Sequence, residues 1–177
     1  RHDAWLVVDG AQSLGATRDG RSGIARGVIA TTSFYPSKPL GAYGDGGAVF
    51  CDDDQLASAL RSIRNHGADA KPGCHDRVGL TGRLDTLQAA VLLAKLEVFD
   101  AEIKDRQQVA ARYSEAVSGL VTPPGAEAGV EPVWAQYTVE VEGRGVVRSR
   151  MAEAGIPTCV FYPPPVHSNV AYRACPV

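Results

Sequence analysis

The stretch VIATTSFYPSKPLGAYGDGG, residues 28–47, holds a single lysine, Lys38, between a β-branched run and a cluster of glycines. Ser33 precedes it by five residues, and Asp9 closes an earlier apolar run, AWLVVD. Each has an ordinary reading when taken alone. An acid or a serine at a strand end forms a turn or a cap, and a lysine is usually solvated. Taken together they offer an acid, a hydroxyl and an amine, which an open parallel sheet would collect beyond the carboxyl ends of its strands. Pyridoxal phosphate asks for that combination. It needs a lysine amine for its Schiff base, an acid that keeps its ring nitrogen protonated, and hydroxyls and N–H groups around its phosphate. A lysine nucleophile must also lose its proton near neutral pH. Burial beside a cation favours that loss, and imine formation removes the free amine altogether.

The elements that must position these residues are legible as patterns. AWLVVDG (4–10) reads as a buried parallel strand, GVIATTSFY (27–35) as a second, and GGAVFCDD (46–53) as a third ending on acids that can cap a helix. That helix is DQLASALRSIRNHG, with Leu56, Ala59, Leu60 and Ile63 on one face and Gly67 as the stop. Residues 68–82 are polar and glycine-punctuated, which predicts an exposed loop. From Arg83 a helical pattern runs through Leu84, Leu87, Val91, Ala94 and Val98, then through Ile103, Val109, Tyr113 and Val117 toward Leu120. A pattern this long predicts a bend, and such helices often bridge domains. After the linker-like TPPGAEAGVEP (122–132), VWAQYTVEV (133–141) alternates like a half-buried strand. A helix over about 145–154 stopping at Gly155 should follow, and IPTCVFYPPPVH (156–167) reads as a strand and a proline-stiffened loop. The order predicts α/β architecture with a division near residue 105: residues 1–104 in a larger domain and 105–177 in a smaller one.

Composition narrows the function classes. Of 177 residues 45% are hydrophobic and 21% charged, and the net charge of −2 argues against a nucleic-acid or membrane-surface partner. Apolar runs are strand-length, which predicts no membrane span, and RHDAWLVVDG runs into a strand without a signal-peptide pattern. Cys51, Cys74, Cys159 and Cys175 lie far apart with no C-x-x-C pair. Reduced thiols in a cytoplasm are the expectation, with no metal site. A nicotinamide-binding Rossmann domain is set aside because no G-x-G-x-x-G follows a strand.

Four segments in order, VVDGAQSLGA, TTSFYPSKPLGAYGDGGAVF, IRNHG and GRLDTLQAAVLLAKLEVF, resemble the sugar aminotransferases of the DegT/DnrJ/EryC1/StrS family. The likeness continues to GIPTCVFYPPPVH near the end. It implies a fold-type I, aspartate aminotransferase-like transferase that uses pyridoxal 5'-phosphate. The chain would hold the latter half of the large, mostly parallel-sheet domain and part of the small C-terminal α/β domain. By position the resemblance implies Lys38 as the Schiff-base lysine and the acid and base of proton transfer. It implies Asp9 facing the pyridine nitrogen, Gln12 against the ring and its 3-hydroxyl, and Ser33 on the phosphate. The implied activity is amino transfer from glutamate to a nucleotide-linked keto-sugar by a cytoplasmic homodimer. The wording SFYPSKPLGAYGDGGA with GRLDTLQAAVLLAKLEVFDAEI is most similar to a subgroup that aminates a UDP-linked 3-keto-hexuronic acid for surface polysaccharide and O-antigen.

The chain departs from the family pattern in three places. Thr81 stands where the family carries an Asn that reaches the phosphate across the dimer, a task for which threonine has shorter reach. Gly10 replaces a usual alanine, which should loosen the turn. Family members also carry an N-terminal part with a phosphate cup and a ring-stacking aromatic, so this piece should show exposed strand edges. His66 and His75 match positions near the substrate, against the plainer reading of loop or capping histidines. His167 matches a small-domain loop that reaches the nucleotide-sugar. Arg83 divides between structural and interface roles, and packing suits Tyr35 and Tyr43. Two other activities stay open: a truncated or non-catalytic relative, and a pyridoxamine-phosphate sugar dehydratase of the same family. The dehydratases carry histidine in place of the lysine, so Lys38 argues against the second.

Overall fold

In the computed structural model, which describes residues 2, 4–68, 71 and 73–175, the chain groups into two units, 1–139 and 140–177. The first contains β1 (Val7–Asp9), a hairpin of β2 (Thr17–Arg18) and β3 (Arg21–Ser22), β4 (Ile29–Ser33) and β5 (Gly47–Cys51). Helices α1 (Asp54–Arg64), α2 (Thr86–Leu96) and α3 (Phe99–Ala116) follow, then β6 (Val130–Glu131). The second unit holds α4 (Arg144–Glu153) and 3₁₀ turns at Val166–Ser168 and Val170–Tyr172. Residues 69, 70 and 72 of the expected 68–82 loop lie outside the described residues. Among the described residues no helix is long and apolar enough to cross a membrane.

β1 and β4 pair in parallel, with Val7 opposite Ile29 and Asp9 opposite Thr31. β5 joins β4 antiparallel, with Ile29 opposite Cys51 and Ser33 opposite Gly47. The reversal has a local cause. Parallel neighbours need a crossover connection of about a dozen residues or more, usually a helix. Here residues 34–46 form a folded loop that brings the chain back at the end of the sheet where it left. This loop carries Lys38. Its apolar residues Phe34, Leu40 and Ala42 are buried with Leu92 of α2 and Phe99 of α3, and Leu14, Ala48, Leu84 and Ile103 pack around them. The main core therefore lies directly beneath the loop. Trp5 and Val7, at and before β1, and Val49 of β5 stay about half or more exposed, as expected for open strand edges.

Helix α1 starts where the acids predicted, with Asp53 Oδ1 accepting from the Leu56 N–H at 2.7 Å. It ends at Arg64, and Gly67 (φ +74°) donates back to the Ser62 carbonyl at 2.8 Å. A Cβ on Gly67 would sit 1.7 Å from the Arg77 carbonyl oxygen. Gly67→Ala therefore combines left-handed strain with a backbone clash. It should cost at least about 2 kcal/mol, read as a lower urea midpoint at constant m value. An unchanged midpoint would show that the 65–79 turn can reorganise freely. The predicted bend in the long helical pattern is the break at Glu97–Val98 between α2 and α3.

Two expected strands are absent. VWAQYTVEV forms no strand, because Trp134 adopts φ +48° and its indole N–H turns to Gln107 Oε1 at 2.9 Å. The short strand there is instead β6, which pairs with β2 through Thr17–Glu131 and Arg18–Val130. Thr17 Oγ1 donates to Glu131 Oε2 at 2.7 Å, and Arg18 pairs with Glu127. IPTCVFYPPPVH also forms no strand. Its Ile156 N–H closes α4 on the Met151 carbonyl at 2.8 Å, its three consecutive prolines lack N–H donors, and it has no ladder partner among the described residues. The helix between these segments ends at Gly155 (φ +73°), as the sequence predicts.

Candidate active site

The parallel pairing of β1 with β4 puts the carboxyl ends of both strands on one rim, so Asp9 and Ser33 end there together. Backbone and side-chain bonds fix the levels. Gly10 N donates to the Thr31 carbonyl at 2.7 Å, and the buried Thr32 hydroxyl donates to the Gly10 carbonyl at 3.1 Å. The same Gly10 carbonyl also accepts from the N–H groups of Ser13 and Leu14 at 3.1 Å. The expectation that Gly10 loosens this turn is thus corrected: the glycine is buried and bonded on both sides, and a Cβ would meet Ile24 and the Thr31 carbonyl. Asp9 Oδ1 accepts from the Ala11 N–H at 3.0 Å, a local turn bond that engages one of its two oxygens. Gln12 follows in the same turn with an exposed side chain.

Beyond β4, Ser33 Oγ accepts from the Tyr35 N–H at 3.2 Å, which leaves the hydroxyl proton available for donation. Lys38 N donates to the Tyr35 carbonyl at 2.8 Å, closing a tight turn that places the half-buried Lys38 side chain just ahead of buried Pro39 and Leu40. The loop closes on itself through Phe34 N to the Gly46 carbonyl (2.8 Å) and Ala42 N to the Phe34 carbonyl (2.7 Å). Arg18–Glu127 is the one ion pair among the described residues, so Lys38 has no carboxylate partner there.

His66, His75 and Thr81 gather into a separate group at the end of α1. Arg83 Nη1 donates to Asn65 Oδ1 at 2.8 Å and lies 2.9 Å from His66 Nε2. A guanidinium only donates, so Arg83 can bond His66 Nε2 only as an acceptor, and His66 Nδ1 lies 3.4 Å from Thr81 Oγ1. His75 Nδ1 lies 3.0 Å from the His66 carbonyl. Arg83 thus ties the 81–83 segment to the α1 terminus. A cleft of about 490 Å³ opens beside the group, lined by Arg61, Arg64, Arg77 and Arg83 among others. Among the described residues no hydrogen bond joins this group to the rim of Asp9, Ser33 and Lys38. His167 is exposed in the Val166–Ser168 turn of the second unit.

Two residues not singled out in the sequence hold the lysine loop from below. Gln88 Oε1 accepts from the Tyr43 N–H at 2.8 Å, and Lys95 Nζ donates to the Gly41 carbonyl at 2.6 Å while lying 5.3 Å from the centre of the Tyr43 ring. Their signal was available: two polar residues one heptad apart in the otherwise apolar LQAAVLLAKL.

The rim fits the cofactor considered from sequence. Among the described residues Lys38 offers an amine without an ionic partner, Ser33 a hydroxyl proton, and Asp9 a second carboxylate oxygen that accepts no hydrogen bond. These match an aldehyde, a phosphate and a ring N–H respectively.

Residues 1–176 match the family model described as the DegT/DnrJ/EryC1/StrS aminotransferase family. A curated relative, the UDP-2-acetamido-2-deoxy-3-oxo-D-glucuronate aminotransferase of Pseudomonas aeruginosa, is 47% identical over 94% of the chain and 46% of its own length. A crystal structure of a DegT DnrJ EryC1 StrS aminotransferase from Brucella abortus superposes with TM-score 0.93 at 43% identity, covering 96% of this chain and 46% of that one. The S. venezuelae DesV structure, solved in complex with a ketimine intermediate, gives TM-score 0.91 at 40% identity with the same two coverages. The chain spans about half the length of the curated relatives it matches.

Proposed function

The chain belongs to the DegT/DnrJ/EryC1/StrS aminotransferase family, and on that premise we propose that the whole protein transfers an amino group to a nucleotide-linked keto-sugar with pyridoxal phosphate as cofactor. The observation that carries this reading is the rim itself. A lysine amine with no ionic partner among the described residues follows, in one folded loop, two parallel strands that end in an acid and in a hydroxyl with a proton to give. When bound, the cofactor supplies the electron sink that stabilises a carbanion at the carbon exchanging its amino group.

The chain's own groups then divide the work. Lys38 Nζ would hold the cofactor through its aldehyde, and the same amine would take and return a proton at the reacting carbon. Asp9 would hold the proton on the ring nitrogen, Ser33 Oγ would donate to the phosphate, and Gln12 would lie against the ring. Thr81 serves the phosphate of a neighbouring subunit in a homodimer, in a role weakened by its short side chain. The resemblance assigns contact with the sugar-nucleotide to His66 and His75 and, separately, to His167. The resemblance assigns residues 1–104 to the whole protein's large domain and 105–177 to the small one, a boundary that falls within α3. The favoured substrate is a UDP-linked 3-keto-hexuronic acid and the favoured donor glutamate, in cytoplasmic synthesis of polysaccharide such as O-antigen. The choice of sugar, and that alone, is supported by the name of the Pseudomonas aeruginosa relative.

The test uses the full-length protein loaded with cofactor. Borohydride should fix the label onto Lys38, found by peptide mapping; label on another lysine, or none, overturns the reading. Glutamate-dependent turnover should be faster with the UDP-linked 3-keto-hexuronic acid than with a dTDP-linked 3-keto-sugar. The reverse preference would overturn the choice of substrate while leaving the reaction class intact.

A further inference from the structure

We infer that Gln88 and Lys95 are positioning residues for Lys38, acting through the loop 34–46; the inference rests on the function proposed above. The loop's own bonds, Lys38 N to Tyr35 O, Phe34 N to Gly46 O and Ala42 N to Phe34 O, hold its two flanks. At Gly41 and Tyr43 the holds come from α2: Lys95 Nζ takes the Gly41 carbonyl and Gln88 Oε1 takes the Tyr43 N–H. Both side chains are half-buried beside the core residue Leu92. An apolar residue at either position would pack there without the cost of removing a polar group from water, and that cost is offset only by the bonds to the loop. The glycines at 41, 44 and 46 cost more entropy to order than other residues would, so beyond the burial of Phe34, Leu40 and Ala42 the segment's shape rests on these two holds. Loss of either hold should let the Lys38 turn drift, and a drift of about 1 Å is enough to reduce turnover about 10²-fold.

The test compares two pairs of variants in the full-length protein. Gln88→Leu and Lys95→Met remove the bonding atom. Gln88→Glu keeps an acceptor oxygen, and Lys95→Arg keeps a donor. In cofactor-free protein, hydrogen exchange at the Tyr43 amide should speed up at least about tenfold in Gln88→Leu and return toward wild type in Gln88→Glu. In loaded protein, both apolar variants should still carry the borohydride label on Lys38. Their kcat should fall about 10–100-fold, with KM for glutamate within about threefold, and the conservative variants should recover most of it. Unchanged Tyr43 exchange together with unchanged kcat overturns the inference. So does an equal loss in the conservative and apolar variants, which would mark a packing role only. If wild-type protein labels elsewhere than Lys38, it is the proposed function that fails.

Discussion

Lys38→Ala in the full-length protein leaves amino transfer about 10²–10⁴-fold below wild type, the range removed when a positioned acid–base group is lost. The loss should fall mainly on kcat, because the alanine variant retains Asp9 and Ser33, whose bonds to Ala11 and Tyr35 do not involve the lysine side chain. Lys38→Arg separates charge from chemistry. A guanidinium keeps the positive charge but stays protonated near neutral pH and cannot act as a base, so it should be as inactive as alanine. The check is single-turnover kinetics on both variants beside a urea titration. Amino transfer surviving in Lys38→Ala, or restored by arginine, would remove Lys38 from the chemistry. Folding should be little affected, since the side chain makes no ion pair among the described residues.

Asp9→Asn isolates a charge from a turn. The asparagine Oδ1 can still accept the Ala11 N–H now held at 3.0 Å, so the strand end keeps its shape while the carboxylate charge disappears. On the proposed function the ring nitrogen would then lose the charge that keeps it protonated, and kcat should fall about 10²–10³-fold, as for other preorganised electrostatic groups. The thermal midpoint should barely move. Asp9→Ala loses the turn bond as well and should add about 0.5–1.5 kcal/mol of instability. If Asp9→Asn turns over normally and only Asp9→Ala suffers, the acid is a turn former and nothing more.

The parts of the molecule that could be read from sequence are those fixed by local pattern. The three sheet strands, the Asp53 cap, the stop at Gly67 and the break between α2 and α3 all follow from spacing within a few residues. The candidate rim was legible for the same reason, since Asp9 and Ser33 are strand-terminal and strands that pair in parallel share an end. What sequence could not supply was pairing at long range. The antiparallel sense of β5 depends on how the lysine loop folds, and β6 exists because Val130 and Glu131 meet Arg18 and Thr17. Trp134 shows the complementary failure. Its segment alternates like a strand, yet one hydrogen bond to Gln107 on α3 is associated with a backbone turned out of the extended region. Gln88 and Lys95 were visible as polar interruptions of an apolar helix, but their partners lie 45 and 54 residues away in the chain.

Those separations carry a consequence for biosynthesis. At about 5–20 residues per second, a ribosome adds the 54 residues between Gly41 and Lys95 in roughly 3–11 s. Throughout that interval the nascent chain already contains Lys38, while the helix whose Lys95 holds the Gly41 carbonyl is incomplete. On the proposed function, competence to use Lys38 cannot precede completion of α2, and a chain released before that point would carry the lysine without the two bonds that hold its loop.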